Sequence, residues 1–283
     1  MTWKVPVGIT YKETVYHNFE NTPHLVGGGT TRYGKTNLIK SLMTSLILNN
    51  PENAKFYLID LKAGVEFYKY RNLRQVKGVA TDVYETHDLL TDVLLQLEST
   101  QYSFREKGYS NITETPIKKR TFIIIDEAGD LVPERFMPKK DKDMYAECQW
   151  MLAHIARIGG AFGFRELFFS QYTTADVLPR QIKQNCDAKI SFKMQNAYSS
   201  EVILGEGNTQ AYELPKIRGR AIYIDGADLY ELQVPLITDG IMYDLLADYF
   251  GGVKDESNEG GSIETNAKAN GYTDEIIRFR DIN

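Results

Sequence analysis

Residues Gly29 to Thr36 read G-T-T-R-Y-G-K-T and match the phosphate-binding loop pattern G-x-x-x-x-G-K-[ST] at every fixed position. No other stretch narrows the possible folds as much, because such a loop works only between a strand and a helix. The apolar His24-Leu25-Val26 ahead of it reads as a strand end, and Leu38, Ile39, Leu42, Leu46 and Ile47 behind it recur at helical spacing. Gly29 and Gly34 would let the N–H groups of Thr30, Thr31, Arg32 and Tyr33 turn inward around phosphate oxygens, with the new helix pointing its positive end at the anion. Lys35 is expected to reach the β- and γ-phosphates, and Thr36 to hold Mg²⁺. The competing reading is a glycine turn before an ordinary helix; the strand and helix signals on either side favour a nucleoside triphosphate.

About ninety residues downstream, Thr121-Phe122-Ile123-Ile124-Ile125 is apolar throughout and ends in Asp126-Glu127. Such a run suits a strand buried on both faces of a parallel sheet, with its last side chains delivered to the carboxyl edge where ligands bind. Asp126 is placed to join the Mg²⁺ shell, directly or through water, and Glu127 to orient and polarise an attacking water. Alone this would be a strand ending at an acidic turn; with the upstream loop it completes a hydrolytic site.

A chain of 283 residues, 42% hydrophobic and 25% charged, is long enough for one large core. Cys148 and Cys186 form no CxxC pair, and with four scattered histidines they make no zinc set, so reduced thiols are expected. No apolar stretch approaches the length of a membrane helix and no charged-then-apolar leader opens the chain, which reads as soluble and cytoplasmic.

Strand-like and helix-like segments alternate, the pattern of an α/β fold around a mainly parallel sheet. Beyond the two motifs, strands are expected at 5–9, 55–60, 167–170, 188–192 and 220–224, and helices at 86–107 and 144–158. The charged, proline-marked 133–143 reads as an exposed loop. Residues 1–250 form the expected catalytic domain. Residues 251–283 carry seven acidic residues against four basic ones and little apolar material, and read as a flexible acidic tail. A short docking motif at 272–282 is the alternative.

Six ordered blocks resemble one family, the FtsK/SpoIIIE DNA translocases. They are the lead-in Asn21-Thr22-Pro23-His24-Leu25-Val26 with its phosphate loop, Leu58-Ile59-Asp60-Leu61-Lys62, Ile123 to Leu131, Phe169-Ser170-Gln171, Ile182-Lys183-Gln184-Asn185, and Arg218-Gly219-Arg220-Ala221-Ile222-Tyr223. The resemblance covers residues 5 to 240 and implies a RecA-like P-loop ATPase that assembles as a hexameric ring and pumps double-stranded DNA through its pore. It also implies that Gln171 senses the γ-phosphate and that Asp60 and Lys62 form a polar pair leading to the subunit interface. The position resembling the trans-acting finger is Lys189, with Lys193, Arg157 and Arg165 as rivals; Lys lacks the arginine fork. Arg32-Tyr33 replaces the family's small Gly-Ser at the loop tip.

The net charge is −5, of which the tail supplies −3, leaving −2 for the remainder. A ring needs cations only where it meets phosphates. Lys216, Arg218 and Arg220 are the expected DNA contacts, with Lys118-Lys119-Arg120 and Lys139-Lys140 as rivals. Two other readings stand beside the translocase: a HerA-like packaging or conjugative coupling ATPase, and a slow nucleotide switch that assembles a complex.

Overall fold

A strand whose residues are apolar on both faces must be covered on both sides, and three strands of this chain are buried along their whole length. They are β3 (Leu25–Gly28), β6 (Arg120–Ile125) and β7 (Phe164–Ser170). In the computed structural model, which describes residues 2–171 and 180–251, these three lie side by side in the middle of a ten-stranded sheet. The others are β1 (Lys4–Ile9), β2 (Thr14–Asn18), β4 (Ala54–Ile59), β5 (Val76–Ala80), β8 (Ala188–Phe192), β9 (Arg220–Asp225) and β10 (Asp228–Gln233). The order is β2-β1-β10-β9-β8-β3-β7-β6-β4-β5. From β8 to β5 all neighbours run parallel, and the other pairings are antiparallel.

Helices cover both faces. On one, α1 (Lys35–Asn49) and α7 (Asp239–Leu246) pack Leu38, Leu42, Leu46, Met242 and Leu246 into a core shared with Phe56, Phe122 and Phe169. On the other, α2 (Val83–Lys107) and α3 (Lys139–Ile158) pack Leu90, Val93, Leu152 and Ile155 against Ile123, Ile125 and Phe168. The α/β architecture with a mainly parallel sheet is therefore the one the sequence implies. Short helices α4 (Arg180–Asn185), α5 (Ala197–Leu204) and α6 (Gln210–Glu213) connect the later strands.

The placement of β7 between β3 and β6 decides the site. Gly28 is level with Ser170, and Phe168 with Ile125, so the ends of the three strands meet at one edge. Close packing there excludes a side chain at Gly27, where an added Cβ would lie 2.2 Å from the Phe169 ring.

The structure departs from the sequence reading in places. Helix α3 begins at Lys139, within the expected loop, because its first turn follows Pro138 and is charged and exposed, with no apolar period to mark it. Strand β7 begins at Phe164, since Arg165 and Glu166 are buried despite their charge. Strands β2, β5 and β10 carry no clear strand signal in the sequence: β2 and β5 are five residues long, and β10 is mostly uncovered. Cys148 and Cys186 are buried free thiols. Among the described residues no helix is long and apolar enough to cross a membrane. The tail reading lies outside the described residues.

Candidate active site

The loop after β3 turns sharply enough to need unusual backbone: Arg32 has φ 72° and Gly34 φ 116°. Gly34 supplies the left-handed conformation at no steric cost, and Lys35 and Thr36 then open α1. Thr30, Thr31, Arg32, Gly34, Lys35 and Thr36 line one cavity of about 660 Å³, together with Gln171 and Arg218. Gly29 N–H donates to Ser170 O at 3.3 Å, and Tyr33 O accepts from Gly219 N–H at 2.8 Å, so these two loop residues hold the loop in place.

Lys35 and the acidic pair meet. Lys35 Nζ donates to Asp126 O at 2.5 Å and lies 3.5 Å from Asp126 Oδ1 and 3.3 Å from Glu127 Oε2. Glu127 is engaged on both oxygens. Ser170 Oγ donates to Oε1 at 2.5 Å, Gln171 N–H donates to Oε1 and Oε2 at 3.0 and 2.9 Å, and Lys62 Nζ lies 3.4 Å from Oε2. Gly129 N–H also donates to Oε1 at 3.4 Å. Burial by itself would raise the Glu127 carboxyl; the Lys35 charge, the Ser170 and Gln171 hydrogen bonds and the Lys62 charge together hold it below the ordinary glutamate value, so it stays ionised. Asp126 goes the other way: burial raises its carboxyl, and the Lys35 charge offsets this only in part.

Gln171 joins the two halves. Its backbone binds Glu127, and its side-chain Oε1 accepts from Thr31 Oγ1 at 2.7 Å. A residue just past β7 can make both contacts only because β7 separates β3 from β6. The residues also fit a magnesium ion. Asp126 Oδ1 is buried and accepts no hydrogen bond among the described residues, and the Thr36 hydroxyl belongs to the same cavity.

Other expectations are redistributed. Lys189 sits level with Val26, toward the amino end of β8, and lines a separate cavity of about 670 Å³ with Lys183 and Glu201. Arg165 is 1% exposed and donates to Gly160 O at 2.7 Å, Phe164 O and Glu20, so it cannot reach a neighbour as a finger. Asp60 and Lys62 take different partners: Asp60 Oδ2 accepts from Glu66 and Phe67 N–H, while Lys62 points at Glu127. Lys216, Arg218 and Arg220 have different surroundings. Arg218 lines the nucleotide cavity, Lys216 a neighbouring pocket with Tyr33 and Lys193, and Arg220 pairs with Glu231 at 2.9 Å. The rival Arg120 is buried in a two-pronged pair with Glu20 at 2.7 and 2.8 Å. Sequence reasoning missed Ser170, whose hydroxyl precedes Gln171 in the quoted block, and the cavity wall at Gln233 to Leu236, which carries no motif.

A phosphate loop, a cation between two buried carboxylates and a polar residue on the intervening strand define a P-loop ATPase. The description "FtsK/SpoIIIE family" matches residues 1–217, and the chain belongs to that family. It is 29% identical over 265 residues to the type VII secretion system protein EssC of Staphylococcus aureus, covering 87% of this chain and 17% of that protein. To the ESX secretion system protein EccC of Geobacillus thermodenitrificans it is 27% identical, covering 81% and 16%. The chain thus spans about a sixth of the curated relatives it matches. Among solved structures, the pCW3 conjugation coupling protein TcpA, in monomer form with ATPγS, superposes with a TM-score of 0.78 at 25% identity, covering 87% of this chain and 70% of that one. The cytoplasmic domain of the Thermomonospora curvata type VII secretion ATPase EccC shares the fold, with a TM-score of 0.73 at 23% identity over 91% and 32%.

Proposed function

We propose that this ATPase works as a ring, a homohexamer, that couples ATP hydrolysis to movement of double-stranded DNA, the activity of a conjugative coupling motor. The observation that carries this reading is a hydrogen-bonded join between the phosphate loop and an exposed basic segment. Tyr33 O accepts from Gly219 N–H, and Thr30 N–H donates to Lys193 O at 3.1 Å, so any shift of the loop on nucleotide binding moves the chain next to Lys216 and Lys193. Lys216 is exposed and is the cation assigned to DNA phosphate. The likeness to TcpA, whose name records conjugation coupling, supports the coupling-motor part of this reading.

Within the site, Lys35 binds the β- and γ-phosphates and so leaves the carboxylates. Thr36 and Asp126 would hold Mg²⁺, which offsets negative charge on the phosphates. Glu127, freed from Lys35, accepts a hydrogen bond from the attacking water and draws its proton. Gln171, tied to both Thr31 and Glu127, reports the state of the γ-phosphate to the acid.

The second reading, favoured by EssC and EccC, is a secretion motor moving polypeptide. Displacement of a third strand from a DNA triplex separates the two. The DNA reading expects ATP-dependent displacement; ATP hydrolysis without displacement, at any concentration of duplex, would overturn it.

A further inference from the structure

The nucleotide cavity extends beyond the phosphate loop, and neither Asp126 nor Glu127 lines it. There its wall is completed by Arg218–Gly219 and by Gln233, Val234 and Leu236. Both segments are fastened. Val234 N–H donates to Gly219 O at 2.8 Å, and Gln233 Nε2 donates to Arg218 O at 2.9 Å. Across the cavity Asn37, in the first turn of α1, donates to Pro235 O at 2.5 Å and accepts from Ile237 N–H at 2.8 Å. Leu236 is therefore held through both of its neighbours, yet the residue is 79% exposed. The Arg218 guanidinium makes no hydrogen bond or ion pair among the described residues.

A scattered exposed leucine needs no explanation. An exposed leucine clamped by its backbone on both sides, at the rim of a cavity that also holds an unpaired guanidinium, is different. A flat heteroaromatic ring suits this pair, since a guanidinium plane stacks on a π face and leucine supplies apolar cover. The triphosphate is fixed by the phosphate loop, and the nucleoside must leave it away from the carboxylates.

We infer that Arg218 and Leu236 form the nucleobase seat of this ATPase, acting within the same chain as the phosphate loop. The seat rests on the nucleotide reading of the cavity and is independent of the cargo. It removes Arg218 from the DNA contacts and leaves exposed Lys216 as the cation of that segment proposed to meet DNA.

Calorimetric titration of the full chain with ATPγS and with inorganic tripolyphosphate, both with Mg²⁺, tests the seat. Arg218→Ala and Leu236→Ala are each expected to weaken ATPγS on the order of tenfold, the size of a stacking contact, and to leave tripolyphosphate affinity unchanged. Equal losses for both ligands would make Arg218 a phosphate contact and overturn the seat. Parental affinity for both ligands in both variants would overturn it too, returning Arg218 to the cargo surface. Lys35→Ala serves as the control and loses both ligands. A parental chain that bound neither ligand would remove the nucleotide reading itself, a failure distinct from the others.

Discussion

Glu127 follows β6 at the carboxyl edge of the sheet, and Glu166 lies within the first half of β7, toward the amino edge. Their side chains are 1% and 0% exposed. Glu127 is surrounded by two lysines, a hydroxyl and backbone N–H groups, and stays ionised. Neither oxygen of Glu166 meets a donor among the described residues, and burial pushes its carboxyl well above the ordinary value, so it stays protonated. Its nearest basic neighbour, His24, lies 4.0 Å away, and burial together with the Arg165 charge pushes its pKa down to about 3. Two acids at the same depth thus differ in charge, one ionised and one neutral. Compensated negative charge is concentrated beside the phosphate loop, and the far edge holds its acid neutral.

Removing the cation breaks this comparison most completely. Lys35→Ala is expected to abolish measurable ATPγS binding in calorimetry, because it deletes the phosphate contact and leaves Asp126 and Glu127 facing each other. Glu127→Gln should retain affinity while lowering steady-state turnover by roughly 10²–10⁴-fold, the range of a lost general base. Parental turnover in that variant would refute the water-positioning role.

Glu166 predicts the opposite sign. Glu166→Leu removes a desolvated polar group and is expected to stabilise the fold by about 1–3 kcal/mol in denaturant titrations. The folded-state value is raised, so burying Glu166 costs least below its ordinary pKa of 4.5 and costs more as pH rises from there through the raised value. The advantage of Glu166→Leu should therefore grow from pH 4 to pH 8. For Glu127 the folded value is lowered: its ion pairs stabilise fully above 4.5, and that contribution disappears as pH falls through the lowered value. The stability deficit of Glu127→Gln should then shrink in acid. Parallel pH trends in the two variants would erase the contrast.

The smallest expected effect lies at the exposed loop of the same edge. Lys216→Ala should reduce the log–log salt slope of duplex binding by about 0.9, the value for one phosphate contact. Arg220→Ala, already paired with Glu231 at 2.9 Å, should leave the slope unchanged.

Much of the site was legible in the sequence because its parts are local. The loop Gly29 to Thr36 and the apolar strand ending in Asp126-Glu127 each announce themselves by residue type at fixed spacing. What brings them together, the insertion of β7, is a matter of topology that the sequence hinted at only through Phe169-Ser170-Gln171. The basic run Lys216 to Arg220 divides among three surroundings that its sequence does not show. Lys216 borders a pocket with Tyr33 and Lys193, Arg218 lines the nucleotide cavity and Arg220 pairs with Glu231, in a segment joined to the phosphate loop at Gly219. Arg165 and Glu166 broke the strand pattern because charge patterning cannot reveal a buried pair with Glu20 or a neutral buried acid.

Steady-state ATP hydrolysis by the full chain, with long duplex DNA, with single-stranded DNA and with neither, tests the coupled motor most directly. The account predicts a rate raised strongly by duplex and little by single strands. A rate that duplex leaves at its basal value would contradict it.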